Sequence, residues 1–251
     1  MDSGLSGKVA LVTGASKGIG RGIAAALVAE GARVCLVSRK REGLEEAAAA
    51  IGGDTLVFPA NAGEPDQAAA AVSACLSHFG ALDVLVNNAA ANPYMGPAID
   101  IDLPRYDKTH QVNLRGPLVW TQAAWSAWMK EHGGNVINIA SIGGLTFGGA
   151  IGIYDNTKAA LIHLTGHLAV ELAPGVRVNA IAPGLVKTDF ARALWENPQT
   201  LAAVTMHTPL QRIGEPHEIA GAAVFLASPA STFVTGQAIV VDGGSTTGVG
   251  L

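Results

Sequence analysis

Three side chains in the second half of the sequence have the types and the spacing of a proton-transfer site. Tyr154 and Lys158 are four residues apart, and Ser141 precedes Tyr154 by thirteen residues. On a helix, residues i and i+4 share a face, so the ammonium group of Lys158 can lie beside the phenol. A free phenol titrates at about pH 10, and a neighbouring cation favours its ionised form. The pattern predicts that Tyr154 exchanges a proton and that the Ser141 hydroxyl polarises a carbonyl oxygen.

A glycine-rich segment near the start of the chain predicts a site for a dinucleotide. The residues Thr13-Gly14-Ala15-Ser16-Lys17-Gly18-Ile19-Gly20 lie between an apolar run and an alanine-rich stretch. Glycine permits a tight turn and a close approach to a pyrophosphate, and the helix that follows offers amide donors. The alternative is an ordinary turn, against which the context of strand and helix weighs. The candidate cofactor-binding residues here are Gly14, Ser16, Lys17, Gly18, Ile19 and Gly20.

The end of the second apolar run indicates which dinucleotide is preferred. It reads Ser38-Arg39-Lys40-Arg41, with no acidic residue to accept hydrogen bonds from the ribose of NAD. Arg39 can pair with a 2′-phosphate through charge-assisted bonds, with Ser38 and Lys17 as helpers, which favours NADP(H) over NAD(H). A solvated basic loop is the alternative interpretation. After the fourth run, Asn88 and Ala89 combine an amide with a small side chain, which suits packing beneath a cofactor.

The elements that must position these residues alternate between short runs rich in Val, Ile and Leu and longer alanine-rich stretches. This alternation predicts an α/β protein: one doubly wound, Rossmann-type domain over residues 1–251 with a seven-stranded parallel sheet flanked by helices. The predicted strands are Val9 to Thr13, Arg33 to Ser38, Thr55 to Pro59, Asp83 to Asn87, Asn135 to Ala140, Arg177 to Ile181 and Gln237 to Asp242. The predicted helices are Gly18 to Glu30, Glu42 to Ile51, Pro65 to Phe79, Pro104 to Glu131, Ile153 to Leu172 and Pro216 to Ala227.

Residues 188–212 form a proline-containing stretch that we interpret as an irregular lid over a substrate, with a plain surface connection as the alternative. Several bulky side chains are candidates for an apolar substrate pocket, although each could belong to the core instead. They are Tyr94, Met95, Leu145, Phe147 and Trp195. Their size favours lipophilic substrates.

Composition narrows the range of partners and compartments. The net charge is −4 with dispersed Lys and Arg residues, so we expect neither nucleic acid nor a membrane as partner. Hydrophobic residues make up 49% and charged residues 14%, which favours apolar surface buried between subunits in a homotetramer or homodimer. The absence of a signal-like or membrane-spanning segment favours a soluble, cytoplasmic protein with unpaired thiols at Cys35 and Cys75. His163 and His167 stand at i and i+4 without a third ligand, so no metal site is predicted.

Taken together, these motifs occur in order along essentially the whole chain, and the sequence resembles the main subgroup of the short-chain dehydrogenase/reductase family. The resemblance implies that Tyr154 is the general acid/base, that Lys158 lowers its pKa and binds the nicotinamide ribose, and that Ser141 holds the substrate oxygen. It also implies that Asn113 kinks the long helix and helps to position a water for proton relay. Further implied cofactor contacts are Asn61, Pro183, Gly184, Val186 and Thr188.

Three positions depart from the family's usual pattern. Asn61 stands where the family usually has an Asp that accepts from the adenine amino group, which weakens adenine binding, and Ala90 replaces a frequent Gly. Asp155 follows the tyrosine directly, where a carboxylate on the same face would oppose ionisation of the phenol. Because successive helical residues point about 100° apart, we expect Asp155 to have little effect.

The resemblance implies an NADP(H)-dependent oxidoreductase that interconverts a ketone or aldehyde and an alcohol. Residues 87–93 and 182–195 are most similar to carbonyl and retinal reductases of the dehydrogenase/reductase-member-four type, which favours a carbonyl reductase for lipophilic substrates. A 3-oxoacyl-acyl-carrier-protein reductase is an alternative with nearly the same motifs. An alternative of another class is a non-catalytic protein that senses NADP.

Overall fold

Seven strands form one sheet in the computed structural model, which describes residues 3–148 and 150–247. They are β1 (Val9–Thr13), β2 (Arg33–Ser38), β3 (Thr55–Pro59), β4 (Val84–Asn87), β5 (Gly134–Ile139), β6 (Val176–Pro183) and β7 (Ala238–Val241). All pairs are parallel, and the order across the sheet is β3-β2-β1-β4-β5-β6-β7. The order reverses between β1 and β4, which opens a crevice at the carboxyl ends of these strands.

Ten α-helices cover the two faces of the sheet within these described ranges. They are α1 (Gly18–Ala29), α2 (Arg41–Ile51), α3 (Pro65–Phe79), α4 (Leu103–His110), α5 (Gly116–Ala124), α6 (Lys130–His132), α7 (Gly152–Glu171), α8 (Arg192–Trp195), α9 (Pro198–Met206) and α10 (Pro216–Ala227). The predicted doubly wound α/β fold is confirmed, and all seven predicted strands end within two residues of the observed bounds.

Two apolar clusters, one on each face of the sheet, hold the strands in place. One cluster packs α1 and α10 onto the sheet through side chains such as Ile23 and Leu226, and the other packs α3 and α5 through Val72 and Trp120. Strand β1 is buried at every position because both of its faces are covered. This rigid centre fixes the strand ends from which the candidate site is built.

The long helix predicted over Pro104 to Glu131 is interrupted. A wide turn, Gln111–Arg115, separates α4 from α5, and a second one, Trp125–Met129, separates α5 from α6. Pro117 follows the first wide turn, and a proline ring crowds the carbonyl group four residues earlier, here that of Asn113. The prediction of a single regular helix was therefore wrong in detail, while the expected distortion at Asn113 is present.

The stretch 188–212, expected to be irregular, contains α8 and α9. The side chain of Asn197 accepts hydrogen bonds from the backbone of Gln199 and Thr200, both at 3.0 Å, and Pro198 occupies the first turn of α9. Asn followed by Pro is a strong helix-start signal that the sequence interpretation missed. Neither helix contains a fully buried residue, so this segment lies against the body of the protein rather than inside it.

Candidate active site

Strand β5 and helix α7 bring the three predicted catalytic residues together. Ser141 follows β5 and begins a short 3-10 turn, Ile142–Gly144, whose Gly143 amide donates to the Ser141 hydroxyl oxygen at 3.1 Å. Tyr154 lies in the first turn of α7, and the Ser141 hydroxyl is close enough to its phenol to lower the pKa of that phenol. The serine and the tyrosine thus converge at the carboxyl end of the sheet.

Lys158 lies one turn further along α7 and is buried beneath Tyr154. Its ammonium group donates to the backbone carbonyl of Ile139 at 2.7 Å and lies 5.5 Å from the centroid of the Tyr154 ring. The predicted proximity of lysine and tyrosine is therefore present. The carbonyl of Ile139, the last residue of β5, anchors the lysine, a partner that no side-chain pattern in the sequence could reveal.

Burial dominates the acid–base properties of these groups. It raises the pKa of Tyr154, and the negative charge of Asp155 raises it further, while the Ser141 hydrogen bond lowers it. Burial also lowers the pKa of Lys158 to about 7, so this amine is only partly charged at neutral pH. The protein's own groups therefore shift the phenol in the direction opposite to the one expected from a neighbouring cation. The expectation that Asp155 has little effect on Tyr154 was wrong as well.

Asn113 connects the loop after β4 with α7 from within the first wide turn. Its side chain accepts from the Ala91 amide at 2.8 Å, donates to the Ala91 carbonyl at 2.9 Å and donates to the Thr157 hydroxyl at 3.1 Å. The residue is completely buried. These bonds tie the helix distortion to the turn of α7 that lies between Tyr154 and Lys158.

The glycine-rich turn after β1 has the backbone expected of a nucleotide site. Gly14 and Gly18 have φ values of 67° and 59°, and Gly18 begins the twelve-residue helix α1. A side chain at Gly14 would collide with the Asn88 amide, 2.7 Å from the added carbon, and one at Gly20 would overlap the same group. Asn88 in turn donates to the Thr13 carbonyl at 2.8 Å. The glycines keep this turn open and close to β4, which fits a dinucleotide phosphate at the start of α1.

Thr13 is a residue of this site that the sequence interpretation did not single out. Its buried hydroxyl accepts from the Asn88 amide at 2.9 Å and from the Ala89 amide at 3.1 Å, and it donates to the Val86 carbonyl at 3.3 Å. These bonds join the ends of β1 and β4 across the crevice. The only signal in the sequence was its place immediately before the first glycine.

The residues expected around the adenosine lie on the same edge of the sheet. The hydroxyls of Ser16 and Ser38 are 3.1 Å apart, and the Arg39 side chain next to them is exposed. Asn61 accepts from the Gly63 amide at 3.1 Å through its side-chain carbonyl, which retains a second lone pair for a ligand. Within the described residues no ion pair involves Arg39, whereas Lys17 is paired with Asp189 at 3.1 Å.

The segment after β6 closes over this region. The Gly184 amide donates to the Val241 carbonyl at 3.0 Å, and Val186 is buried and bridges to Gly214. A carbon added to Gly18 would lie 3.2 Å from the Thr188 methyl group, so the glycine turn and the start of residues 188–212 are in close contact. Pro183, the last residue of β6, directs the chain toward the turn.

One aromatic residue beside Tyr154 was missed by the sequence interpretation. The Phe190 ring lies 5.9 Å from the Tyr154 ring, between centroids, and 52% of the Phe190 residue is exposed. Of the predicted pocket residues, Trp195 donates to the Thr188 carbonyl at 2.8 Å, and Tyr94 donates to Pro97 at 2.9 Å. Leu145 is partly exposed and Phe147 fully exposed, and in the parts of the chain that are described the Phe147 ring makes no ring contact with Tyr154.

The described ranges contain neither a candidate metal centre nor a candidate membrane-spanning helix. No cluster of three or more His, Cys, Asp or Glu side chains there could hold a metal ion. The His163 and His167 rings are in edge contact at 4.8 Å. None of the helices described is both long enough and apolar enough to cross a membrane.

The position of these groups relative to the sheet defines the class of protein. Open α/β sheets bind ligands at the carboxyl ends of strands where the strand order reverses, and the glycine turn after β1 lies at that point. The serine, tyrosine and lysine follow β5, two strands away. This is the arrangement of an oxidoreductase that uses a nicotinamide dinucleotide.

Known proteins with similar sequences identify the family. A family model described as Enoyl-(Acyl carrier protein) reductase matches residues 14–246. Human "Dehydrogenase/reductase SDR family member 4" is 36% identical over 245 residues, covering 96% of this chain and 88% of that protein. Human "Dehydrogenase/reductase SDR family member 2, mitochondrial" is 37% identical over 247 residues, with the same coverage.

Solved structures agree with this relationship. A putative short-chain alcohol dehydrogenase from Sinorhizobium meliloti superimposes with a TM-score of 0.93 at 35% identity, covering 97% of this chain and 98% of that one. A short-chain type dehydrogenase/reductase from Mycobacterium ulcerans superimposes with a TM-score of 0.93 at 36% identity, covering 98% of this chain and 92% of that one. The chain belongs to the short-chain dehydrogenase/reductase family. It is an oxidoreductase of the kind that acts on CH–OH groups of small molecules with NAD(P).

Proposed function

We propose that the protein is an NADP(H)-dependent carbonyl reductase that interconverts lipophilic ketones or aldehydes and the corresponding alcohols. The observation that carries this proposal is the convergence of Ser141, Tyr154 and Lys158, with the serine hydroxyl near the phenol and the ammonium group 5.5 Å from the centre of its ring. A carbonyl oxygen that joins this pair of hydroxyls receives one hydrogen bond and one transferable proton.

In this mechanism each side chain has a distinct task. Ser141 orients the substrate oxygen and stabilises the negative charge that develops on it, with its own hydroxyl held by the Gly143 amide at 3.1 Å. Tyr154 gives its phenolic proton to that oxygen during reduction and takes it back during oxidation. Lys158 and the Asn113 bonds to Ala91 and Thr157 hold α7 in the orientation that the phenol requires. When bound, the nicotinamide dinucleotide supplies or accepts the hydride.

The cofactor preference rests on charge. Residues Gly14, Gly18 and Gly20 and the start of α1 would hold the pyrophosphate, with Ser16, Ile19, Asn88 and Ala89 lining the turn. Arg39 offers its guanidinium for the 2′-phosphate, because it is exposed beside Ser38 and is not engaged in an ion pair in the described parts of the chain. Lys17 is held by Asp189 at 3.1 Å and is the secondary partner. Tyr154, Lys158 and Thr188 complete the site around the nicotinamide.

Arg39→Ala is expected to raise the KM for NADPH about 10- to 100-fold, the effect of losing a hydrogen bond to a charged group. The KM for NADH should stay nearly unchanged, because NADH lacks the 2′-phosphate. Steady-state kinetics with both cofactors measure this, and Arg41→Ala is the matched control, since Arg41 is equally exposed and pairs with Glu45 at 3.6 Å. Equal effects of Arg39→Ala on the two cofactors would contradict the preference for NADP(H).

Residues 188–212 serve as a substrate lid in this proposal. Asp189 is bonded to both Lys17, at 3.1 Å, and Arg192, at 2.6 Å, so it ties the segment to the glycine turn. Phe190 covers Tyr154 from the same segment. Its exposed ring gives the lid an apolar inner surface, which together with Trp195 and the candidates Tyr94, Leu145 and Phe147 supports lipophilic substrates.

Phe190→Ala is expected to raise the KM for a long-chain or aromatic ketone on the order of tenfold, with little change for a small ketone. The reason is that the small ketone cannot reach the surface the ring provides. Comparison of the two substrates in one assay measures the effect. The control is Phe233→Ala, which removes a fully exposed phenylalanine outside the lid. Equal changes for both ketones would show that Phe190 does not line the pocket.

A carrier-protein thioester is the second candidate substrate, since the matched family model is described as Enoyl-(Acyl carrier protein) reductase, which names a carrier-bound acyl group. Such a partner needs a basic docking surface. The scattered cations that could contribute to one are already engaged: Arg105 with Asp102 and Arg192 with Asp189, each at 2.6 Å, and Lys108 with the Gln111 side chain at 3.1 Å. Arg115 donates to the Gly63 carbonyl at 3.1 Å. These bonds favour a free small-molecule substrate.

A panel of ketones, aldehydes and 3-oxoacyl thioesters, followed by NADPH oxidation, tests the reaction class directly. Turnover confined to thioesters would replace the carbonyl reductase with the carrier-protein enzyme. Binding of NADPH without turnover of any compound would favour a non-catalytic NADP sensor.

Assembly and compartment complete the proposal. Large apolar side chains are exposed on several elements, and a homotetramer or homodimer would cover them. They include Ile99, Leu103, Val170 and Phe225. The free, buried thiols of Cys35 and Cys75 suit the reducing cytoplasm.

A further inference from the structure

Asp155 is a charged side chain beside the candidate catalytic residues that has no role in the mechanism above. It follows Tyr154 in the first turns of α7 and is half-buried. Its Oδ1 atom is buried, and among the described residues it has no hydrogen-bond partner. An acidic residue near a helix N-terminus is favoured by the helix dipole, and this is the simplest explanation for it. If Asp155 only interacted with the helix dipole, its carboxylate would accept a bond from a backbone amide or face the solvent. Its Oδ1 atom does neither.

The buried oxygen lies against the backbone of Gly143. A carbon added to Gly143 would lie 2.6 Å from the Asp155 carboxyl carbon and would overlap Oδ1. Gly143 is also the residue whose amide holds the Ser141 hydroxyl at 3.1 Å. The carboxyl group therefore touches the turn that orients the serine, while its own residue adjoins the tyrosine. Asp155 is thus linked to the Ser141 hydroxyl through Gly143 and to the Tyr154 hydroxyl through the peptide bond between residues 154 and 155.

We infer that Asp155 is a positioning residue of the reaction, which holds the Ile142–Gly144 turn against α7 and places a negative charge beside the phenol of Tyr154. This inference rests on the proposed role of Tyr154 in proton transfer. The charge disfavours the phenolate and so keeps the proton on Tyr154, as reduction of a carbonyl requires. A chain with a neutral residue here would be better suited to alcohol oxidation at neutral pH.

Among the charged groups around α7, Asp155 is the one whose charge raises the pKa of the Tyr154 phenol. Burial raises the pKa of Asp155 to about 6. When ionised, Asp155 raises the pKa of Tyr154, in addition to the effect of burial. The Ile142–Gly144 turn carries no titratable side chain. On α7 the titratable neighbours are Tyr154 and Lys158. The elements packed around α7 and the lid bring Asp100, Arg105, Tyr106, Asp107, Lys108, His110, Arg115, Arg177, Asp189 and Arg192. Of these, Arg105 pairs with Asp102 and Arg192 with Asp189.

Asp155→Asn tests the charge, because it keeps the shape of the side chain. Alcohol oxidation needs the ionised phenol, so its kcat/KM rises with pH. In the variant this rise should move to lower pH by about one unit, a gain of roughly tenfold at a fixed pH on the rising limb. The ratio of variant to parent should fall toward one below about pH 6, where the parent carboxyl group is itself protonated. A purely structural role would change the ratio equally at every pH.

The matched control is Glu171→Gln, which removes one negative charge at the far, exposed end of the same helix. It should leave the pH profile unmoved. If Asp155→Asn also leaves it unmoved while Tyr154→Phe is inactive, the charge assignment is overturned and the proposed function stands. If Tyr154→Phe remains active, the proposed function itself fails.

Gly143→Ala tests the contact. The added methyl group would overlap Oδ1 and displace the turn that holds Ser141, which should lower kcat roughly 10- to 100-fold. Combining it with Asp155→Ala removes the overlap and should restore part of the loss. A double variant no better than Gly143→Ala alone would refute the positioning half of the inference.

Discussion

Replacing Tyr154 by Phe should reduce kcat about 10² to 10⁴-fold, the usual contribution of a positioned acid or base. The ring remains, so its packing with Phe190 and its position above the Lys158 ammonium group are kept. What is lost is the proton and the hydrogen bond from Ser141. Steady-state NADPH oxidation with a ketone measures kcat, and fluorescence titration with NADPH should give a Kd close to that of the parent.

The matched control for this prediction is Tyr106→Phe. Tyr106 lies on α4, where its ring is tilted against that of His110 with the centroids 4.0 Å apart, and it is partly exposed. Loss of its hydroxyl should leave kcat unchanged. If Tyr154→Phe retained the parent's turnover, the proton would have to come from another group and the proposed mechanism would be wrong.

The state of Lys158 shows how the chain sets the acidity of this site. Burial lowers the pKa of the lysine to about 7 and raises that of the tyrosine, so the pair does not by itself produce a phenolate at neutral pH. A protonated phenol is the form that donates to a carbonyl oxygen. The protein's own electrostatics thus keep the phenol protonated, and they do so through desolvation first and the Asp155 charge second.

Much of the architecture could be predicted because it depends on patterns of residues that are close together in the sequence. Buried parallel strands require continuous apolar runs, and Pro65 and Pro216 mark the first turns of α3 and α10. The spacing of Tyr154 and Lys158 on one helix needs only the helical repeat. These features depend on neighbours along the chain, which a single sequence displays.

The parts that could not be predicted depend on contacts between distant segments. The Ile139 carbonyl that anchors Lys158 has no side-chain signature, and the contact of Asp155 with Gly143 joins α7 to a turn that precedes it. Phe190 reaches Tyr154 only because the segment after β6 folds back over the sheet edge. In each case the residue type can be read from the sequence, but the residue that it contacts in space cannot. That contact determines the acid–base properties and the position of the side chain.

Ser141→Ala should lower kcat about 10² to 10³-fold, the loss found when one donor to a developing oxyanion is removed. The Ser141 hydroxyl oxygen accepts from the Gly143 amide at 3.1 Å, so its position is fixed before any substrate arrives. That preorganisation is the reason for a large effect on kcat. The affinity for NADPH, measured by titration, should be unaffected, because the hydroxyl faces the substrate oxygen.

The same substitution removes an acceptor for the Gly143 amide, so stability must be separated from catalysis. Loss of such a cap costs about 1 kcal/mol, which would lower the Tm by a few degrees without affecting turnover of the folded protein. Ser141→Thr keeps a hydroxyl and should recover much of the activity, whereas Ser73→Ala, an exposed serine on α3, should change neither quantity. If Ser141→Ala lowered the Tm but left kcat intact, Ser141 would be a cap of the turn alone, and the oxyanion would have to be stabilised by the Tyr154 phenol unaided.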